Sequence, residues 1–145
     1  MREACEASLK RLGIGFVPYS PLGRGFLTGA ITEATQFEEG DFRNYLARFS
    51  GHHAAMNHER LKIIETIATP KHCSMAQVAL AWVLANSNGG VPIPGTKRIK
   101  YLEENVAAES IELTSSELAL LDEAFPTGAD YGPRYPAGGM RGIGE

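Results

Sequence analysis

Two cysteines, Cys5 and Cys73, are too few in 145 residues for a disulfide framework or a cysteine-built metal cluster. No apolar run approaches the roughly 20 residues of a membrane span. The opening MREACEASLKRLG also lacks the apolar centre of a signal peptide. Strong charge of either sign is absent too. A net charge of −3 offers no general attraction to nucleic acid or an anionic membrane, so any basic recognition has to be local. These absences point to a reducing cytoplasm, with neither nucleic acid nor membrane as a partner.

What is present suits one globular domain with a sizeable core: 43% apolar and 21% charged residues. The opening segment reads as an amphipathic helix ending at Gly13. Ile14 to Tyr19 follows as a strand bounded by Gly13 and Pro21. After a long irregular insertion, Leu61, Ile64, Ile67 and Ala68 keep helical spacing up to Pro70. Ser74 with Gln77 forms a capping box that opens the apolar helix AQVALAWVLAN, which is expected to be buried and to end at Gly89 and Gly90. VPIPGT then reads as a short buried strand, made a poor ladder partner by Pro92. A helix is expected from about Arg98 to Ala108. Thr114 with Glu117 caps the next helix, SELALLDEAF, and the tail from Pro126 reads as irregular.

Helices alternating with strands imply an α/β fold with parallel strands. Only two good strands exist, however, and a two-stranded parallel sheet leaves apolar surface and backbone unpaired. The pattern predicts part of something larger, and self-association of the isolated chain.

In parallel α/β folds ligands sit at the C-terminal ends of strands. Both loops that leave such ends here, SPLGRG and PGTKR, are rich in glycine or cations. Gly23 and Gly25 either admit a ligand close to the backbone or only turn the chain, and Arg24 can pair with an anion. Lys97, Arg98 and Lys100 crowd a helix N-terminus, against a macrodipole that costs each cation roughly 0.3–1 kcal/mol. The cluster is either an anion site or a solvated basic patch. Asn105, beside Glu104 on the same helix, matches the edge of an adenine base, which alone is a weak signal.

The stretches GIGFVPYSPLGRGFLTG, DFRNYLARF, SMAQVALAWVLA and VPIPGTKRIKYLEENV, in this order and spacing, resemble the aldo-keto reductase family. The likeness is to the branch of plant auxin-induced-type and many bacterial oxidoreductases, and runs to about Phe125. It implies a (β/α)8 TIM barrel of which this chain is the C-terminal part, about strands seven and eight with their helices. A whole barrel takes about 250 residues. Residues 1–125 are then the C-terminal part of an NADP-dependent oxidoreductase domain, and 126–145 a tail. The resemblance further implies NADPH as cofactor and hydride transfer to an aldehyde or ketone. Tyr19, Ser20, Pro21, Leu22, Gly23 and Arg24 would line its pyrophosphate and nicotinamide side. Ile93, Pro94, Gly95, Thr96, Lys97, Tyr101, Glu104 and Asn105 would hold the adenosine and 2′-phosphate.

Two departures from the family pattern matter. Tyr101 stands where many members carry a phosphate-gripping arginine, and Gly95 where many carry a lysine, so Lys97 and Arg98 are expected to take over the phosphate. The family's catalytic Asp, Tyr, Lys and His lie on the first four strands, so the catalytic set and the remaining barrel half are expected outside this chain. Tyr19 stacks on the nicotinamide by this resemblance and is not the general acid. A noncatalytic nucleotide-binding or interaction module, or an inactive truncated product, is the alternative.

Other residues read blandly. His52, His53 and His58 in GHHAAMNHER are expected in a solvated loop on the substrate side, without metal-ligand spacing. Arg43 and Arg48 in DFRNYLARF are expected either in structural salt bridges or at a substrate cleft. Trp82 and Cys73 read as packing residues. A DNA-binding helix-turn-helix at PKHCSMAQVALAWVLA is excluded by its apolar second helix and the acidic chain.

Overall fold

The structure is a computed structural model that describes residues 2–87 and 89–141. Its main elements are five α-helices: α1 (Arg2–Leu12), α2 (Gly51–Ala68), α3 (Met75–Asn86), α4 (Ile99–Ala107) and α5 (Ser115–Ala124). Short 3-10 turns occupy Gly23–Thr28, Phe42–Tyr45, Ala47–Phe49, Ala108–Ser110 and Ala137–Met140. α1 stops where expected, at Gly13, whose φ of +61° a helix does not accept.

Both capping boxes form. The Ser74 hydroxyl accepts from the Gln77 N–H while Gln77 accepts from the Ser74 N–H, and Thr114 and Glu117 repeat the exchange at α5. The helices these caps start pack on α2, which supplies the longest buried stripe: Ala54, Asn57, Leu61, Ile64, Ile67 and Ala68. Ile64, Val78 and Leu121 are wholly buried, and with Phe26 they join α2, α3, α5 and the glycine-rich turn into one core. Burying each of these larger side chains is worth roughly 1.5–3 kcal/mol.

α2 begins about ten residues before Leu61, so GHHAAMNHER is helix and not loop. The helical period does extend back through Asn57 and Ala54, but a polar and a small residue on the buried stripe carry almost no hydrophobic signal.

The two expected strands are the second correction. Among the described residues only an isolated parallel bridge joins Tyr19 and Ile93. Alongside it the Val91 N–H donates to Phe16 O at 2.9 Å and the Ile93 N–H to Pro18 O at 3.4 Å. The parallel direction is as expected; the ladder is not. Pro18, Pro92 and Pro94 have no N–H to give, and each segment has one neighbour instead of two. VPIPGT is not buried as expected: Val91 and Ile93 are more than half exposed, as are Ile14 and Val17 on the segment beside it.

The tail is more ordered than its composition suggests. Asn57 Nδ2 donates to Tyr131 O at 3.2 Å, and the Arg60 guanidinium lies 4.6 Å from the Tyr131 ring centre. Gly132, at φ +80°, passes so near Ala47 and Arg48 that an added Cβ would stand 3.1 Å from the Arg48 nitrogen. The chain thereby runs back over α2 toward Tyr19.

Candidate functional site

The segments that meet at the Tyr19–Ile93 bridge release their loops on one side, and a cleft of about 550 Å³ lies between them. That volume is within the range of small-molecule sites. Ser20, Pro21, Leu22, Arg24, Pro94, Gly95, Thr96, Tyr101, Glu104 and Asn105 line it, ten of the residues singled out from sequence. Tyr19 and Ile93 sit at the bridge, and Gly23, Lys97 and Arg98 are not part of the lining. Gly25, Thr28, Ala30 and Ala76 complete the wall. Gly25 and Thr28 belong to the conspicuous loop, whereas Ala76 arrives on the first turn of α3 with nothing local to mark it.

The loop after Tyr19 needs its glycines for backbone shape. Ser20, Gly23, Arg24 and Gly25 have φ of 54°, 58°, 60° and 90°. The Gly25 Cβ position meets nothing closer than Ile31 at 3.5 Å, so dihedral freedom is what glycine provides there. Arg24 and Ser20 bear a left-handed strain of roughly 1–3 kcal/mol each, of the sort that concentrates at functional sites.

On the opposite wall, Thr96 Oγ1 accepts from the Arg98 N–H at 3.2 Å, a turn that sets up α4. Arg98, the residue before α4, is extended, and no side chain caps the helix. The first turn carries no acid, and Lys97, Arg98 and Lys100 are exposed around it. Backbone dipole and cations together suit a phosphate. Gly95 adds open space, with no atom within 4 Å of an added Cβ. Glu104 is partly committed elsewhere: Ser74 Oγ donates to its carboxylate, and Gln77 Nε2 donates to its carbonyl at 3.1 Å. The α3 cap thus fixes the pitch of α4, and Asn105 with it.

Beyond the Tyr19 end, the Tyr19 and Tyr135 hydroxyls are 2.6 Å apart. The Arg24 guanidinium lies 5.4 Å from the Phe42 ring centre and 5.1 Å from that of Tyr135, and Arg134 lies 5.3 Å from that of Tyr19. The hydrogen bond with Tyr19, then the nearby Arg24 and Arg134, hold the Tyr135 hydroxyl below the usual phenol range. Tyr19 is pushed up, chiefly by the same hydrogen bond. No sequence signal marked Tyr135 or Arg134.

Arg43 is ion-paired with Asp41 at 2.6 Å, as expected. Arg48 has no ion pair among the described residues, which corrects the expectation of a structural bridge there; its Nε is buried without a hydrogen-bond partner. The histidines lie on α2. His58 sets Nδ1 2.7 Å from Ala54 O and Nε2 2.8 Å from Ile31 O, tying the insertion to the helix. Among the described residues no group of side chains forms a metal site.

The Arg43 side chain, then its N–H, lowers the Asp41 carboxyl to about 2. Carbon NMR of Asp41 should find that midpoint, and Arg43→Met should return it toward the ordinary value of about 3.9. The pair's contribution to the 41–45 turn is complete above the unfolded value and is lost as pH falls through the folded one.

Residues 1–125 match the family model described as the aldo/keto reductase family. The chain belongs to that family. It is 44% identical over 125 residues to aldo-keto reductase yakc of Schizosaccharomyces pombe, whose name specifies NADP(+), covering 86% of this chain and 37% of that one. It is also 44% identical over 110 residues to aldo-keto reductase str7 of Strobilurus tenacellus, covering 76% of this chain and 33% of the relative. The chain therefore spans about a third of the length of these curated relatives.

Proposed function

We propose that this chain is the cofactor-binding portion of an NADP(H)-dependent aldo-keto reductase that reduces aldehydes or ketones to alcohols in the cytoplasm. The observation that carries the reading is the single cleft into which both loops contribute, with an uncapped basic helix start beside it. The NADP(+) in the name of the S. pombe relative supports the choice of cofactor. NADPH supplies the hydride when bound. Ser20, Pro21, Leu22 and Arg24 line the pyrophosphate and nicotinamide side, with Gly23 shaping their turn; Tyr101, Glu104 and Asn105 face the adenosine, and Lys97 and Arg98 take the 2′-phosphate from outside the cleft wall. The general acid and the rest of the barrel lie outside this chain, against the exposed edges of the bridged segments.

A fluorescence titration of the purified chain with NADPH and then NADH, followed by an aromatic aldehyde, tests this reading. Saturable NADPH binding without turnover is the expected result. No binding by a chain shown to be folded by circular dichroism overturns the claim that this portion binds cofactor. Arg98→Ala should weaken NADPH about 10- to 100-fold, the worth of one charge-assisted hydrogen bond of roughly 1.5–3 kcal/mol, and leave NADH nearly unchanged. Equal loss for both cofactors would remove Arg98 from the 2′-phosphate.

A further inference from the structure

Three guanidiniums, those of Arg24, Arg48 and Arg134, act on one another near Tyr19, and among the described residues no acid pairs with any of them. Arg24 lies beside both the Phe42 and Tyr135 rings, and Arg134 lies over Tyr19, which shares a hydrogen bond with Tyr135. Arg48, from the Ala47–Phe49 turn, has a buried Nε with no hydrogen-bond partner. Burial first, and then the charges of Arg24 and Arg134, hold its guanidinium below the usual range. Two acids of the same segments are engaged otherwise: Asp41 pairs with Arg43, and Asp130 Oδ1 accepts from the Gly132 N–H at 3.0 Å. Among the described residues none of the three arginines forms an ion pair.

A buried guanidinium donor without an acceptor is costly, and like charges held together by aromatic rings add to that cost. An oxyanion removes both penalties, and the planar guanidinium fork matches a carboxylate in particular. Arg24 lines the cleft, Arg134 lies over Tyr19 beside it, and Arg48 and Arg134 come from parts of the chain outside the cleft wall. From this geometry we infer that Arg48 and Arg134, with Arg24, form a carboxylate site that selects carbonyl substrates bearing a negative charge. The inference rests on the cofactor reading above, since that reading puts the nicotinamide beside Tyr19. The docked tail thereby contributes a specificity-determining residue, Arg134.

The test is calorimetric titration of the full chain with para-formylbenzoate and with its methyl ester, which keeps the ring and aldehyde but has no charge. The acid should bind about ten-fold or more tightly than the ester. Arg134→Met and Arg48→Met should each remove most of that preference and leave the ester unchanged. Should Arg48→Met not fold, Arg48→Lys keeps a cation but loses the fork, and Arg134, exposed on the tail, is substituted without disturbing the core. Equal affinity for acid and ester overturns the inference, as does undiminished acid binding by Arg134→Met. Inorganic phosphate binding as tightly as para-formylbenzoate would make a free oxyanion the occupant and overturn the assignment to substrate. NADPH titration of the same sample separates the two claims. Cofactor binding without acid preference overturns this inference alone, whereas acid preference without cofactor binding overturns the cofactor reading and with it the substrate role, leaving a plain anion site.

Discussion

Leu121→Ala lowers the unfolding free energy by about 2–5 kcal/mol, with a melting temperature lower by roughly 5–15 °C. Leu121 is wholly buried and is the residue through which α5 enters the core of Leu61, Ile64 and Val78. Truncating it removes transfer energy and leaves a cavity that three helices cannot all collapse to fill. Its neighbour Leu120 is 46% exposed, so Leu120→Ala should cost under about 1 kcal/mol. Thermal unfolding of both variants, followed by circular dichroism, checks the contrast. Similar losses would mean that α5 is not seated as described.

The second large effect is at Asn57, a 4% exposed polar residue on the inner stripe of α2. Its amide donates to Tyr131 O and, at 3.4 Å, to Arg48 O, while its own oxygen accepts from Arg60 Nη1 at 2.8 Å. Asn57→Ala leaves two carbonyls and a guanidinium short of a partner, at about 1–3 kcal/mol. The cost should appear as local opening of the tail more than as loss of the helix. Amide exchange at Gly132, whose N–H is bonded to Asp130 Oδ1, should quicken about ten-fold or more, tryptic cleavage after Arg134 should rise with it, and α2 amides should stay protected. Uniform acceleration throughout α2 would instead make Asn57 a residue of global stability. Tail release also removes Arg134 from Tyr19, so the same variant should lose the acid-over-ester preference.

Much of this molecule is written locally. Capping boxes at Ser74 and Thr114, the stop at Gly13 and the helical period of Leu61 to Ala68 depend on residues close along the chain, and these features formed where their signals lay. The left-handed turn at Gly23–Gly25 is equally local. So is the basic start of α4, because a helix end exposes its dipole whatever it packs against. Family membership was legible for a related reason: four stretches in a fixed order carry it, and order survives without coordinates.

Tertiary structure decided the rest. Pairing strength at Ile14–Tyr19 and VPIPGT depended on neighbours and on proline N–H groups, not on β propensity, so two readable strands became one bridge. The first turns of α2 were hidden because burial of Ala54 and Asn57 comes from the tail and the Ala47–Phe49 turn lying over them. Whether Arg48 met an acid or two other arginines was a question of long-range approach. Gly132 lets the tail cross Ala47 without a side chain in the way, and the tail then carries Arg134 to Tyr19. Local signals were enough for α1, α3, α4, α5, the family and the two loops; contact between distant segments set the start of α2 and which side chains share a site, since charge and burial depend on distance in space and not along the chain.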